Sequence, residues 1–262
     1  MNDKPPENTP ELQELRERAH AQPPGLIVLP IGSRSIYPEF FIDYQNLTAG
    51  HVPPGTVTSI RQSGSVVENL NSSLKQMQPH HQFAFIMGDD HRFAPDLLIR
   101  LLEHDKDVVV PLGVRRVPPF LLGIFKEEAE FWDEGLQRDY PGYLPYNPDE
   151  VPDELFTVVA SGSAGMLVRR PVLDAIGFPW FESSDGVFLN EDLEFCRRVR
   201  ALGYDIWCDP HALLGHIGQM AVWPHWFDHP TEGRTLVIKI DHGGNDGENE
   251  VLLGTKKQMV SA

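Results

Sequence analysis

Between residues 25 and 111 the chain alternates short apolar runs with stretches of helical period, and this alternation restricts the fold more than any other feature. Leu26–Ile31 is a continuous apolar run bounded by glycine and proline, as suits a strand buried on both faces. Helical period follows from Pro38 to about Leu47, and a Pro-Pro-Gly turn leads into a second strand at Thr56–Ile60. Val66, Leu70, Leu74 and Met77 mark the next helix, and Phe83–Met87 a third strand. A helix over Pro95–Glu103 and a strand over Val108–Pro111 complete the series. Strands separated by helices predict an α/β fold with a parallel sheet covered by helices on both faces. Ligands of such sheets bind beyond the carboxyl ends of the strands.

Outside this series the pattern is looser. Residues 1–24 read as an arm carrying a helix from about Pro10 to Ala21, stopped by Pro23 and Pro24. Residues 127–154 are rich in Asp, Glu, Pro and Tyr and lack a period, which predicts an insertion or lid loop. Order returns at Phe156–Ala160, Met166–Arg169, an amphipathic helix over Asn190–Leu202, and two short strands at Asp205–Cys208 and Ala212–Ile217. Residues 25–240 are expected to form one domain, and 241–262 a C-terminal tail that starts with a Gly-, Asn- and acid-rich loop.

Composition narrows the partners. The 22 basic and 38 acidic residues give a net charge of −16, a field that disfavours extended, non-specific binding to nucleic acid. Two cysteines, Cys196 and Cys208, are too few for a disulfide scaffold or a four-cysteine zinc site. No apolar stretch approaches the ~20 residues of a membrane span, and Met1–Pro10 lacks a signal-peptide core, so a cytoplasmic location is expected.

Three constellations could do chemistry. Asp89, Asp90 and His91 follow directly on the third strand, and their oxygen and nitrogen donors suit Mn²⁺, Mg²⁺ or Zn²⁺. Alternation along an extended backbone puts Asp89 and His91 on one side and Asp90 on the other. Alternatively, the tripeptide is a polar turn in which Asp90 caps the next helix. Asn190-Glu191-Asp192-Leu193-Glu194 opens a helix, where acids complement the dipole and free N–H groups; a carboxylate there also serves as a general base if it faces a cleft. His216 closes an apolar segment between Gly215 and Gly218, small neighbours that leave room for a ligand or an ion.

In this order the pieces resemble the family 2 type of GT-A (Rossmann-like) glycosyltransferase, from about Gly25 to Gly218. Phe85–Leu98, with Asp89-Asp90-His91, is similar to the family's strand, D-x-D motif and following helix. Glu191–Tyr204 is similar to its E-D motif and helix, and Cys208-Asp209-Pro210 with His216 to the segment that supplies a further metal-binding histidine. Val67–Leu74 and Ser161–Arg170 resemble the helix after the second strand and the glycine-bearing floor of the acceptor region. Histidine at the third motif position departs from D-x-D and matches a variant that polypeptide N-acetylgalactosaminyltransferases also show.

The resemblance implies a mixed, mainly parallel sheet flanked by helices. It also implies a metal held by Asp89, His91 and His216, with Mn²⁺ or Mg²⁺ as cofactor and a nucleotide-sugar, most often a UDP-sugar, as donor. Asp90 then either touches the donor ribose or takes the place of Asp89 at the metal. Pro30, Gly32 and Ser33 would line the nucleotide pocket, and Arg61 would help to hold base or phosphate. Asp192, with Glu191 next in line, would deprotonate an acceptor hydroxyl and invert the anomeric centre. The acceptor is open. A nucleotidyltransferase acting on sugar phosphates is a competing class, though Gly32-Ser33-Arg34-Ser35 matches its loop only faintly. A non-catalytic nucleotide- or carbohydrate-binding domain, with Trp180, Trp223 and Trp226 stacking on sugars, is another.

Overall fold

The computed structural model describes residues 9–32, 36–62, 64–134, 137–183, 190–218, 221–229, 233–241 and 250–253. Its first half follows the expected alternation: α1 (Pro10–His20), β1 (Leu26–Pro30), α2 (Pro38–Thr48), β2 (Val57–Arg61), α3 (Val66–Leu74), β3 (Phe83–Ile86), β4 (His91–Phe93), α4 (Leu97–Glu103) and β5 (Val108–Gly113). The local signals are visible at α3, where the Ser65 hydroxyl accepts from the Glu68 N–H and the Glu68 carboxylate accepts from the Ser65 N–H. Each satisfies a donor that the first helical turn leaves open.

The second half comprises β6 (Ile124–Asp133), β7 (Arg138–Pro145), β8 (Phe156–Val158), β9 (Ala160–Ser161), β10 (Met166–Arg169), α5 (Arg170–Ile176), α6 (Glu191–Ala201), β11 (Ile206–Ile217), β12 (Ala221–His229), β13 (Gly233–Asp241) and β14 (Glu250–Leu253). The main sheet runs β2-β1-β3-β10-β5-β11-β12-β13-β14, with β4 and β8 also paired to β11. β1 pairs in parallel with β2 and β3, and β5 in parallel with β11. β10 lies antiparallel between β3 and β5, so five of the six strands in this part of the sheet share one direction. The α/β class is as expected, with a mixed sheet that is mainly parallel along its core.

Both faces of the sheet are dry. Leu26 and Val28 of β1 join one apolar cluster with Leu70 of α3, Val172 of α5 and Phe195 of α6. Ile27 and Leu29 join another with Leu15 of α1, Phe40 of α2 and Leu98 of α4. Alternate residues of one strand thus serve opposite helix layers, which explains why β1 is apolar throughout. Both cysteines are free and buried.

Three stretches differ from the sequence reading. Residues 127–154, expected as an insertion or lid loop, are largely the β6–β7 hairpin, which pairs through β6 with β9. Its inward positions, Phe125 and Tyr143, are buried although the acidic neighbours hide the alternation. The two short strands expected at 205–208 and 212–217 are one strand, β11, with a register shift between Asp209 and Leu213. Glu250–Leu253 of the expected tail pairs with β13, while 242–249 and 254–262 lie outside the described residues. No helix among the described residues is long and apolar enough to cross a membrane.

Candidate functional site

β3 ends beside β1, with the Met87 N–H donating to the Val28 carbonyl, and the chain turns through Gly88, Asp89 and Asp90 into β4. β4 then pairs antiparallel with the end of β11, in a register that sets His91 opposite His216. Directly opposed residues in such a pair bring their side chains into contact. The two imidazoles stack with centroids 4.2 Å apart. The Ile217 N–H donates to the Asp90 carbonyl at 2.7 Å and fixes the turn to the strand. On the other flank of β4, Asp43 of α2 accepts from the Arg92 guanidinium and the Phe93 N–H, so β4 is clamped from both sides.

This geometry gathers Asp90, with the two histidines, into a candidate ligand set. Donor atoms of Asp90, His91 and His216 all lie within 4.8 Å of one another. Asp90 Oδ1 is 2.8 Å from His91 Nδ1, and Oδ2 is 3.2 Å from His216 Nε2. Asp89, expected as the carboxylate ligand, accepts a hydrogen bond from the Gly32 N–H at 3.1 Å and ties the loop after β1 to the end of β3. Asp89 and Asp90 form a turn, not a continued strand, so strand alternation does not apply to the two acids.

The triad has the chemistry of a cation site. His91 Nδ1 is buried without a hydrogen-bond partner, close to Asp90 but poorly directed for a hydrogen bond. An orphaned buried nitrogen costs free energy unless a ligand engages it. The Val114 carbonyl lies 3.1 Å from His216 Nδ1. An imidazole donating there turns the Nε2 lone pair toward Asp90, where a proton or a cation must separate the two acceptors. Burial works to raise the Asp90 pKa, but the close approach of His216 and His91 holds it well below the usual carboxylate range. Burial lowers the His91 pKa, partly offset by Asp90, so its ring is neutral and able to coordinate. Gly88 leaves the room this ring needs, since a Cβ there would overlap the imidazole. Arg116 donates to Asp90 Oδ2 at 2.6 Å, a partner that no sequence signal marked.

The triad opens into a cavity of about 850 Å³, a size that suits a small ligand. Its wall includes Pro30 and Gly32 after β1, Asp89 and Asp90 after β3, Gly162 and Ser163 before β10, and Glu191 and Asp192 of α6. Glu191 and Asp192 arrive there because Asn190 starts α6 at the cavity edge. Burial raises the Asp192 carboxyl to about 6, Glu191 adding to the effect and the Leu193 N–H opposing it. Glu194, in the same acidic run, instead pairs with Arg197 at 2.6 Å. Arg61 is apart from the cavity: it borders a groove of about 380 Å³ along β2 with Gln76, Gln78 and His80. Ser33 lies outside the described residues. Trp180 and Trp226 pack against the main core, as a structural use of these rings requires.

No protein-family model and no curated protein matches the chain. Among solved structures, A197 from STIV is similar over 81% of this chain and 93% of that one, at 13% identity and a TM-score of 0.48. GalNAc-T7 with UDP, GalNAc and Mn²⁺ is similar over 75% of this chain and 44% of that one, at 12% identity and a TM-score of 0.46. Similarity of this order leaves function to be argued from the cavity itself.

Proposed function

We propose that this chain is a metal-dependent, inverting glycosyltransferase of the GT-A kind, moving a sugar from a nucleotide-sugar of the UDP-sugar type to an acceptor hydroxyl. The observation that carries the reading is the meeting of two unlike centres in one cavity: an Asp-His-His cluster and a half-buried carboxyl raised to about 6. A base poised near neutral pH and a cation site for a leaving group are what transfer from a diphosphate requires. Carboxyls in a cavity, perturbed by burial and a charged neighbour, cluster at functional sites.

In this reading Asp90, His91 and His216 hold the ion. Two nitrogens among three donors favour Mn²⁺ over Mg²⁺, whose preference is for oxygen. When bound, the ion neutralises the charge that develops on the diphosphate as the sugar leaves. Gly32, steadied by Asp89, lets the backbone after β1 approach the nucleotide. Asp192 accepts the proton of the attacking hydroxyl, and Glu191 beside it keeps its affinity for that proton high. Attack from the side of Asp192, opposite the leaving diphosphate, inverts the anomeric carbon.

The test is turnover of UDP-sugars with Mn²⁺, with water or a hydroxyl compound as acceptor. We expect nucleotide release that stops with EDTA and returns with Mn²⁺. Undiminished release from fully chelated protein would remove the metal from the reading, and no release from a broad donor set would remove the transferase.

A further inference from the structure

We propose that Arg116 and the divalent ion compete for Asp90, and that the guanidinium the ion displaces is the group that grips the donor diphosphate. This rests on the glycosyltransferase reading and adds to it an order of events and a residue. Arg116 Nη1 donates to Asp90 Oδ2 at 2.6 Å and sits 3.5 Å from the Ile217 carbonyl. The oxygen it occupies is also the one that faces His216 Nε2 at 3.2 Å. An ion entering between these donors meets a positive charge already in contact with the carboxylate of the cluster, so ion and guanidinium disfavour each other.

Charge balance says where the guanidinium goes. Among the described residues, the cavity wall carries four carboxylates, Asp89, Asp90, Glu191 and Asp192, and two side chains of permanent positive charge, Arg115 and Arg116. Arg115 lies over the Phe125 ring, 5.5 Å from its centroid. Among the described residues Arg116 has no such ring, and its side chain is 45% exposed, so it can swing without opening the core. Its backbone is held, because the loop beyond β5 is closed by the Arg115 N–H on the Leu121 carbonyl at 2.8 Å and the Phe120 N–H on the Val117 carbonyl at 2.9 Å. A planar fork of donors on a fixed base beside the ion is well matched to phosphate oxygens. Ion and diphosphate therefore bind with positive coupling: the ion frees Arg116, and the diphosphate gives it a new partner.

Free Mn²⁺, counted by its electron paramagnetic resonance signal, measures the competition on the full chain without reference to activity. Arg116→Gln should bind Mn²⁺ several-fold more tightly than wild type, a direction that mere structural damage does not give. With Mn²⁺ saturating, the same variant should bind UDP about tenfold more weakly, within the usual range of coupling between sites. Arg116→Lys keeps the charge but loses the fork, so Mn²⁺ affinity should stay near wild type while UDP binding falls; unchanged UDP binding would refute the grip even if Arg116→Gln fails to fold. If Asp90→Asn abolishes Mn²⁺ binding but Arg116→Gln leaves it unchanged or weaker, the metal site stands and the competition is refuted. If neither wild type nor Arg116→Gln takes up Mn²⁺, the metal reading and the proposal fall together.

Discussion

Burial raises the Asp192 carboxyl to about 6, from an ordinary value of 3.8. Ionised above that pH, it costs the fold roughly 2–3 kcal/mol at 1.36 kcal/mol per pH unit. The sign follows from the raised value: the folded state holds the proton more tightly, so this carboxyl favours folding below pH 4 and ceases to as pH rises through 6. Asp192→Asn should therefore raise stability at pH 8 by about 2 kcal/mol and change it little at pH 4. Urea melts at the two pH values check this, and equal effects at both would place the carboxyl in water. The same substitution should lower turnover by at least ~10²-fold while UDP affinity stays within a few-fold. In wild type, kcat/KM should climb as pH approaches 6 and level above it, as expected for a base that must be ionised. Gly88→Ala acts on the other centre. Its new methyl overlaps the His91 ring, and Mn²⁺ affinity should fall by about tenfold or more, by analogy with lost support around metal ligands; unaltered affinity would mean that His91 is not a ligand.

Among the elements, the bend in β11 does most to assemble the site. Asp209, at the register shift, is buried and bonded to Arg100 at 2.7 Å, His104 at 2.8 Å and the His211 N–H at 2.8 Å. These contacts shape the offset after which β11 continues to Leu214, Gly215 and His216 beside β4. Burial alone would raise the Asp209 pKa, but His104, the backbone and Arg100 outweigh it and lower it. Its stabilising effect is then present above the ordinary carboxylate range and lost as pH falls through and below it. Asp209→Ala strands Arg100, but that side chain is 38% exposed, so a loss of about 2 kcal/mol is expected, below the 3–5 kcal/mol of a fully buried pair. A thermal melt reads that cost, and a Mn²⁺ titration should show weaker binding if the bend positions His216. The β6–β7 hairpin is anchored at its base by buried Phe125 and Tyr143 and by Arg200 on Glu128 at 2.6 Å, while Trp132 further along it is exposed. If it closes over the donor, hydrogen exchange around 128–133 should slow with UDP-sugar plus Mn²⁺. Equal exchange with and without them would separate the hairpin from donor binding.

At the scale of the molecule, ion and donor bind the folded state and so should raise its melting temperature. At a hundredfold excess over Kd the gain is about 2.7 kcal/mol, or several degrees for a chain of this size. Mn²⁺ with UDP should exceed either alone, and Asp90→Asn should abolish the increment. A shift produced by UDP alone and unaltered by EDTA would count against a shared site.

The alternation from β1 to β5 was legible in the sequence because each period is a local consequence of side-chain direction in strand or helix. The proposed chemistry falls after β3 and at the start of α6, where the sequence also pointed, since loops at the carboxyl ends of parallel strands carry the ligand. His216 could be singled out by its glycine neighbours, but its distance from His91 could not, because that is set by the β4–β11 register, which brings together Asp90 and His216, 126 positions apart in sequence. The approach of Asp90 to the two histidines depended on a turn that breaks strand alternation, and the partnership of Arg116 on a loop whose backbone closes only in the folded chain. The β6–β7 hairpin was hidden by acidic residues on its exposed face, which masked the period of its buried one. Local chemistry thus determined the elements and the reactive residue types, whereas long-range strand pairing decided which of those residues meet, because contact between distant positions depends on register and burial that no short window of sequence contains.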